Sequence, residues 1–319
     1  MPELPPEPTP TIDTIYQSYV TSNGDWRRDH LGASIIGREC CRELWYTFRW
    51  ATNPMFDGRL LRLFATGHSQ ESRILKDLKS AGVAVYDVDP DTGEQIHYAD
   101  FGGHYAGSLD GIGKGFKESP ATWHVIECKT MNTRTFNQLK AKGVQSVKFE
   151  HYCQCQVYMG WSGLDRAFYI AVCKDTDELY GERIHFNQEL FDQLRLKADK
   201  IIFADTPPVS NCGGAECKWC NHKQVCQGKR LPEINCRTCA HSDTVIDCGW
   251  KCSRTGKELS PLDQRNACQY HIFIPALVPL EQTDADADRG VVMYGDIVNG
   301  YDAIRSTELQ NAIDKKGGL

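Results

Sequence analysis

Three residues near the middle of the chain combine the side chains that hydrolysis of a phosphodiester requires. Asp110 is followed, after a short loop, by a predicted strand that carries Glu127 and Lys129. Because side chains alternate along a strand, Glu127 and Lys129 point to the same face. Carboxylates hold a hard divalent cation, and an ammonium group orients water or steadies charge on a phosphate. The pattern therefore predicts a metal-dependent nuclease site.

Two predicted helices, one before and one after this strand, carry further polar residues. The first spans residues 59–81 and the second spans residues 151–161. Residues four apart share one face of a helix, so each helix presents a pair of side chains together. The pairs are Gly67 with Glu71 and Gln154 with Tyr158.

The order of the predicted elements indicates an α/β fold in the broad sense, with a central mixed sheet flanked by helices. Ser34 is expected to cap a helix that runs to Tyr46, and residues 111–115 are expected to form a turn. Strands are predicted at residues 83–88, 95–99, 104–109, 123–129, 166–173 and 179–184, and further helices at residues 133–142 and 188–203.

Length and charge narrow the class of protein. The 319 residues suffice for one catalytic domain and one or two small modules. A net charge of -6 excludes a globally basic surface, so contact with nucleic acid has to use local basic patches. Neither a secretion signal nor an apolar run of membrane-spanning length is seen, so no membrane partner and a cytoplasmic location are expected.

One basic and aromatic segment follows the catalytic strand. Its side chains could track phosphates and stack on bases, although a solvated helix and loop explain them equally well. They are Arg134, Phe136, Lys140, Lys142, Lys148 and Phe149.

Fifteen cysteines without a secretion signal are expected to be metal ligands rather than disulfides. A structural zinc ion is predicted to be bound by Cys236, Cys239, Cys252 and Cys268. Competing ligands are His241, Cys248 and His271. Spacing alone also permits one zinc ribbon made of Cys217, Cys220, Cys236 and Cys239.

The nuclease residues occur in the order of a known family. Asp110, the Glu127-x-Lys129 pair and the Gln154-x3-Tyr158 pair resemble the PD-(D/E)XK nuclease superfamily, in its RecB-like branch. The proline that gives the motif its name is replaced by Leu109, as is common in this branch. The resemblance covers roughly residues 33 to 227.

The upstream Gly67-x3-Glu71 pair resembles a motif of the lambda-type and YqaJ-type phage exonucleases. The resemblance implies that Mg2+ or Mn2+ is bound by Glu71, Asp110, Glu127 and the backbone carbonyl of Cys128. His68 is a second candidate ligand, because CRISPR adaptation nucleases and AddB usually have a histidine at the Glu71 place.

The same resemblance assigns the remaining roles. It implies that Lys129 positions or helps to deprotonate the attacking water, and that Gln154 and Tyr158 line the site and contact the DNA strand. Cys217, Cys220 and Cys226, together with Cys40, resemble the iron-sulfur cysteines of AddB and CRISPR adaptation nucleases. These four residues are called the cysteine clasp.

The clasp is expected to hold a 4Fe-4S cluster that ties the first helix to the end of the domain. Cys40 is preferred over Cys41 because it begins a Cys-x-Arg-x-Leu-Trp motif. The predicted organisation is a flexible arm at 1–12, a nuclease domain at 13–230, a zinc-binding module at 231–275, and a linker with a C-terminal tail at 276–319.

The expected function is that of a phage DNA exonuclease used in recombination or DNA processing. Single- or double-stranded DNA ends are the expected partner, with a recombination or single-strand-binding protein as a second partner. Two alternatives are a catalytically silent DNA-binding or assembly subunit with a nuclease fold, and a zinc or redox regulatory protein.

Overall fold

The computed structural model describes residues 9–22, 24–211, 216–246, 249–286, 290–299 and 303–317. None of its helices combines the length and the apolar character that a membrane crossing requires, within those ranges. Most of the expected arm lies outside the described residues, and the first helix already begins at Pro10. The α-helices are α1 (Pro10–Ser22), α2 (Cys41–Phe48), α3 (Gly58–Ser80), α4 (Thr133–Val147), α5 (Phe149–Ser162), α6 (Gln188–Ile202), α7 (Lys223–Cys226), α8 (Pro261–Asn266) and α9 (Ala303–Gly317).

Four sheets are formed by the strands of these residues. The strands are β1 (Leu31–Gly32), β2 (Ala84–Tyr86), β3 (His97–Asp100), β4 (Tyr105–Ser108), β5 (Gly111–Lys114), β6 (Trp123–Met131), β7 (Arg166–Cys173), β8 (Leu179–His185), β9 (Ser242–Val245), β10 (Gly249–Cys252), β11 (Asp284–Asp286), β12 (Val291–Tyr294) and β13 (Ile297–Asn299).

The central sheet has the strand order β2-β5-β6-β7-β8. β6 and β7 run parallel, whereas the other neighbours are antiparallel, so the prediction of a mixed sheet flanked by helices is confirmed. Ile126 and Cys128 pack on the face that α3 covers, beside Ile74. Val125 and Met131 pack on the opposite face, with α4 and α5. Strand β6 is therefore buried on both sides.

A second, three-stranded sheet has the order β1-β4-β3 and joins the N-terminal segment to the core. Leu31 in β1 pairs with Tyr105 in β4 in a parallel arrangement. Gly107 in β4 lies directly against α5, because a Cβ atom there would stand 2.8 Å from Tyr158. The missing side chain allows the helix that carries Tyr158 to approach this sheet.

The C-terminal third packs onto the same core. Trp250 of β10 is 2% exposed, and its ring centroid lies 5.3 Å from that of Phe48. A smaller cluster joins the last strands to α9, and it consists of Leu231, Phe273, Val278, Tyr294, Leu309 and Ile313. The acidic run at 281–288 is expected to be a linker, but Asp284–Asp286 pairs with β12; residues 287–288 lie outside the described residues.

Two local predictions are wrong. A short 3-10 turn occupies Ala33–Ile35 and α2 begins only at Cys41, so Ser34 does not cap that helix. Gly37 explains the interruption, because its backbone packs so closely that a Cβ would lie 2.8 Å from the backbone of Glu150. Residues 111–114 form a strand instead of a turn. Gly113 is small because Ile126 packs over it, with its Cδ1 atom 2.9 Å from the position of a Cβ.

The Gly107→Ala substitution tests the contact between β4 and α5. The new methyl group would collide with the buried Tyr158 ring, and we expect the free energy of unfolding to fall by about 1–3 kcal/mol in urea titrations. Gly24→Ala is the control, because no described residue beyond its chain neighbours lies within 4 Å of a Cβ there, and a change of no more than about 0.5 kcal/mol is expected. Equal losses in both variants would contradict tight packing at Gly107.

Candidate active site

Asp110 lies immediately before β5 and is oriented by the backbone of β6. Its Oδ2 atom accepts a hydrogen bond of 2.7 Å from the N–H of Cys128. The bond joins two neighbouring strands and fixes the carboxylate beside residues 127–129. The predicted hairpin is therefore corrected in one respect: β5 stands between Asp110 and the turn that leads to β6.

Glu127 and Lys129 point to the same side of β6, as the alternation predicts. The Lys129 ammonium donates a short hydrogen bond to Oε1 of Glu127 and forms an ion pair with it. Glu127 is fully buried, whereas the Lys129 side chain is 24% exposed. The Oε2 atom of Glu127 has no hydrogen-bond partner among the described residues.

The electrostatics of this pair are dominated by burial. Burial raises the pKa of Glu127 to about 8; Lys129 opposes this shift, and the Asp110 charge adds to it. Burial acts to lower the pKa of Lys129, but the Glu127 and Asp110 carboxylates outweigh it and raise that pKa. Burial also raises the pKa of Asp110. The carboxylates thus repel one another and favour a nearby positive charge.

Glu71 and His68 lie on α3 and extend this acidic group. Burial raises the pKa of Glu71, the nearby Asp110 carboxylate raises it further, and His68 lowers it. Both residues line the cleft described below, and His68 is exposed. The structure therefore brings Glu71, His68, Asp110, Glu127 and Lys129 together.

Gln154 and Tyr158 lie beneath the site instead of on its surface. They are 6% and 2% exposed, and the Gln154 amide donates a hydrogen bond of 3.3 Å to the Tyr158 hydroxyl. Burial and then the Glu127 charge raise the pKa of Tyr158. Their burial differs from the expected contact with a DNA strand; in this conformation they support the floor of the site from α5.

An open cleft of about 850 Å³ lies above the site, and Glu71, Cys128 and Lys129 are at its floor. Basic side chains along it are Arg27, Arg28, Arg38, Lys148 and Lys174. Trp26, Phe56 and Phe64 form an aromatic group at one end, with ring centroids 5.1 to 5.7 Å apart. The cleft thus offers positive charge and aromatic faces next to the acids.

Sequence reasoning found only part of this cleft. Of the basic and aromatic segment that it proposed, Lys148 lines the cleft, whereas Phe136 is 1% exposed and belongs to the core. It missed Trp26, Arg27 and Arg28, which form a compact run just before β1. The signal in the sequence is the succession of one tryptophan and two arginines, a composition typical of nucleic-acid contacts.

Within the described residues, no group of three or more His, Cys, Asp and Glu side chains is arranged to hold a metal ion. The donor set nevertheless suits a hard cation, since it consists of carboxylates around a buried oxygen of Glu127 that no described residue pairs. One obstacle is visible: Lys129 already occupies the other oxygen of Glu127.

The two groups of cysteines each gather in one region. Cys226, Cys40 and Cys220 stand near Tyr46, whose pKa burial and then these thiols raise to about 12. The four predicted zinc ligands line a single small cavity, and His241 and His271 lie at the same cavity. The competing ligand Cys248 lies outside the described residues.

No protein-family model matches the chain, and none of the curated proteins matches it. The solved structures to which the chain is similar include an alkaline exonuclease, LHK-Exo, from Laribacter hongkongensis, with 17% identity, a TM-score of 0.41, and coverage of 58% of this chain and 90% of that one. A complex of LHK-Exo with dAMP gives 17% identity, a TM-score of 0.40, and coverage of 59% and 90%. SSO0001 gives 15% identity, a TM-score of 0.42, and coverage of 68% and 96%.

The stability of the metal-free protein should depend on pH through Glu127. The pKa rises from 4.5 in an unfolded chain to about 8 in the folded protein. Between these values the folded state binds the extra proton, so raising the pH favours unfolding. We expect the free energy of unfolding to fall as the pH rises from about 5 to 8, with on the order of 2 kcal/mol assigned to this residue.

Glu127→Gln should flatten this part of the profile, and urea titrations in the presence of a chelator measure it. The control is Glu118→Gln on the exposed surface, which should keep the native slope. A native slope in the Glu127→Gln protein would show that this carboxyl group does not titrate in that range.

Proposed function

We propose that the chain is a metal-dependent deoxyribonuclease of the PD-(D/E)XK superfamily, in its RecB-like and YqaJ-like branch, with a restriction-endonuclease-like core. The observation that supports this most directly is the position of Asp110, held by the backbone of Cys128 beside the Glu127 and Lys129 pair at the floor of a basic cleft. Burial of several acids costs free energy of folding, and such clusters are typical of sites that bind cations or carry out catalysis.

In this proposal, Glu71, Asp110, Glu127 and the carbonyl of Cys128 hold Mg2+ or Mn2+, with His68 as the alternative ligand. A bound divalent cation supplies charge that polarises the scissile phosphate and lowers the pKa of a coordinated water. Cation binding also relieves the repulsion that raises the pKa values of the three acids.

The residues of the chain have separate tasks. Lys129 is partly exposed to the cleft and is oriented by Glu127, so its ammonium can hold the attacking water or a phosphate oxygen. Water attacks phosphorus and gives up one proton to solvent, the bond from phosphorus to the sugar oxygen breaks, and the released alkoxide takes up one proton from solvent, so that the step balances. Gln154 and Tyr158 keep the floor of the site rigid.

A nucleic-acid strand is the proposed substrate because the cleft combines positive charge with aromatic faces. The preference for DNA over RNA, exonucleolytic cleavage, a phage origin, a role in recombination and a cytoplasmic location are proposed from the resemblance. A recombination or single-strand-binding protein is the proposed partner on the same basis.

The cysteine clasp is proposed to hold a 4Fe-4S cluster. Its supports are the gathering of three of its thiols near Tyr46 and the contacts that already join α2 to the end of the domain. Arg42 donates a hydrogen bond of 2.6 Å to the carbonyl of Pro208, and Trp45 donates one of 2.9 Å to Ala204. A cluster there would reinforce an existing junction and would take no part in the cleavage.

The nuclease proposal predicts cleavage of end-labelled DNA that requires Mg2+ or Mn2+. Asp110→Asn and Lys129→Ala should each lower kcat at least about 100-fold, because each removes a group that stabilises charge in the transition state. Asp91→Asn, in an exposed turn, is the matched control and should keep native activity.

Single- and double-stranded substrates labelled at either end would give the strand preference and the polarity of cleavage. DNA binding without metal-dependent cleavage, unchanged by Asp110→Asn, would contradict the proposal and favour a DNA-binding or assembly subunit. Activity that survives both Glu127→Ala and Lys129→Ala would favour a zinc or redox regulatory protein.

A 4Fe-4S cluster in the cysteine clasp should give the protein visible absorbance. Protein purified without oxygen should be brown, with broad visible absorbance and about four iron atoms per chain. Cys226→Ser should bleach it, whereas Cys173→Ser, at a core position outside the clasp, should leave the absorbance unchanged. A colourless native protein that contains only zinc would contradict the iron-sulfur proposal.

A further inference from the structure

A tight turn brings the first two thiols of the C-terminal group together. The turn is the 3-10 helix Cys236–Thr238, closed by a hydrogen bond of 3.0 Å from the N–H of Cys239 to the carbonyl of Cys236. Asn235 caps it through its side chain. We call residues 235–239 the knuckle. Cys252, at the end of β10, and Cys268, after α8, also line the cavity beside it.

This cavity has the size and the chemistry of a site for one ion. It encloses about 20 Å³, which holds a single water-sized guest. The Sγ atom of Cys239 accepts a hydrogen bond of 3.5 Å from the N–H of Ile272, a contact that stabilises a metal-bound thiolate. Four thiols select a soft or borderline metal in tetrahedral geometry. The side chains are not arranged as a finished site, so binding would draw the four sulfur atoms inward.

Arg237 lies between the two thiols of the knuckle and reaches into the nuclease core. Its side chain is 1% exposed, and its guanidinium carbon lies 3.7 Å from the ring centroid of Trp50. The guanidinium donates hydrogen bonds of 2.9 Å to the carbonyl of Phe48 and 2.8 Å to the carbonyl of Asp29. Three separate segments of the chain are therefore joined by one side chain.

Trp50, which Arg237 contacts, also forms part of the wall of the cleft. Its backbone has a φ of 54°, a conformation that residues other than glycine rarely adopt. The knuckle holds this conformation, since the Asn235 amide donates a hydrogen bond of 3.0 Å to the Trp50 carbonyl. The Trp50 indole in turn donates one of 2.7 Å to the carbonyl of Arg28. Trp50, Arg27 and Arg28 all line the cleft.

We propose that Cys236, Cys239, Cys252 and Cys268 bind one structural zinc ion, and that this ion holds the knuckle so that Arg237 and Asn235 position the Trp50, Arg27 and Arg28 wall of the cleft. The zinc site thereby affects the affinity for a nucleic-acid strand, whereas the carboxylates take part in cleavage of that strand. The effect on the strand rests on the proposed nuclease function; the zinc site and its hold on the wall do not.

The metal is tested first, with zinc itself as the probe. Elemental analysis should find about one zinc per chain. Cys239→Ser should lose it, whereas Cys217→Ser should keep it. Loss of the zinc in Cys217→Ser would assign the metal to the single ribbon, and a native protein that neither contains nor takes up zinc would overturn the proposal.

Arg237→Gln tests the positioning. It should keep the zinc, raise the KM for DNA about tenfold and leave kcat within about twofold, because the wall contacts substrate and the acids are unaffected. The slope of log Kd against log salt should fall by roughly one to two as contacts between the arginines and phosphates are lost. A fall in kcat with an unchanged KM would overturn the proposal. Arg195→Gln is the control with native KM, because the Arg195 side chain stacks on Phe101, away from both the wall and the zinc cavity.

A third measurement does not depend on cleavage or on folding of the variant. Zinc is removed from the native protein with a chelator, excess Mg2+ is restored, and hydrogen exchange is followed by mass spectrometry. Peptides that cover residues 26–31 and 48–52 should exchange faster, with unchanged exchange in β6. Unchanged exchange in the wall would overturn the proposal even if the protein cuts DNA, and faster exchange there would sustain it even if the protein does not.

Discussion

The burial of the Glu127 carboxylate is the constraint on which the site depends. A charged group without water is costly unless an opposite charge or hydrogen bonds accompany it. Lys129 supplies the positive charge from the same strand, but among the described residues only one oxygen of Glu127 is paired. The negative charges of Asp110 and Glu71 disfavour the ionised form of Glu127 further. In the proposed function, a bound cation would supply the missing positive charge.

The surrounding elements can be understood from this constraint. A strand buried on both faces has to be central, and β6 is flanked by β5 and β7 with helices on either side. Asp110 lies immediately before the adjoining strand β5, and a hydrogen bond from the backbone of Cys128 holds its carboxylate in place. Glu71 lies on α3, which packs across the sheet. The floor of the site is thus rigid, and one acid reaches it from a separate helix.

Local patterns predicted most of this arrangement. The alternation along β6, the helix-spaced pairs at Gly67 with Glu71 and Gln154 with Tyr158, and the order of strands all depend on near neighbours, so a sequence can reveal them. Contacts across the fold left weaker signals. The glycines of the strand at Gly111 favour a turn in the sequence, but Gly111 lies against the backbone of Tyr86 and Gly113 lies under Ile126, contacts that the local pattern does not reveal. Arg237 resembled an ordinary residue between two cysteines until its partners were known.

The hydrogen bond from Arg237 to Asp29 has a consequence for synthesis of the protein. It joins residues that are 208 positions apart, and the ribosome makes the N-terminal partner first. Domains fold from the N-terminus as the chain emerges, so the strands that carry the acids can pair before the knuckle exists. The hydrogen bond from Asn235 to the strained backbone at Trp50 can form only after the last third of the chain has begun to leave the ribosome. The strands that carry the acids can therefore form earlier in translation than the contacts that hold the Trp50 wall of the cleft.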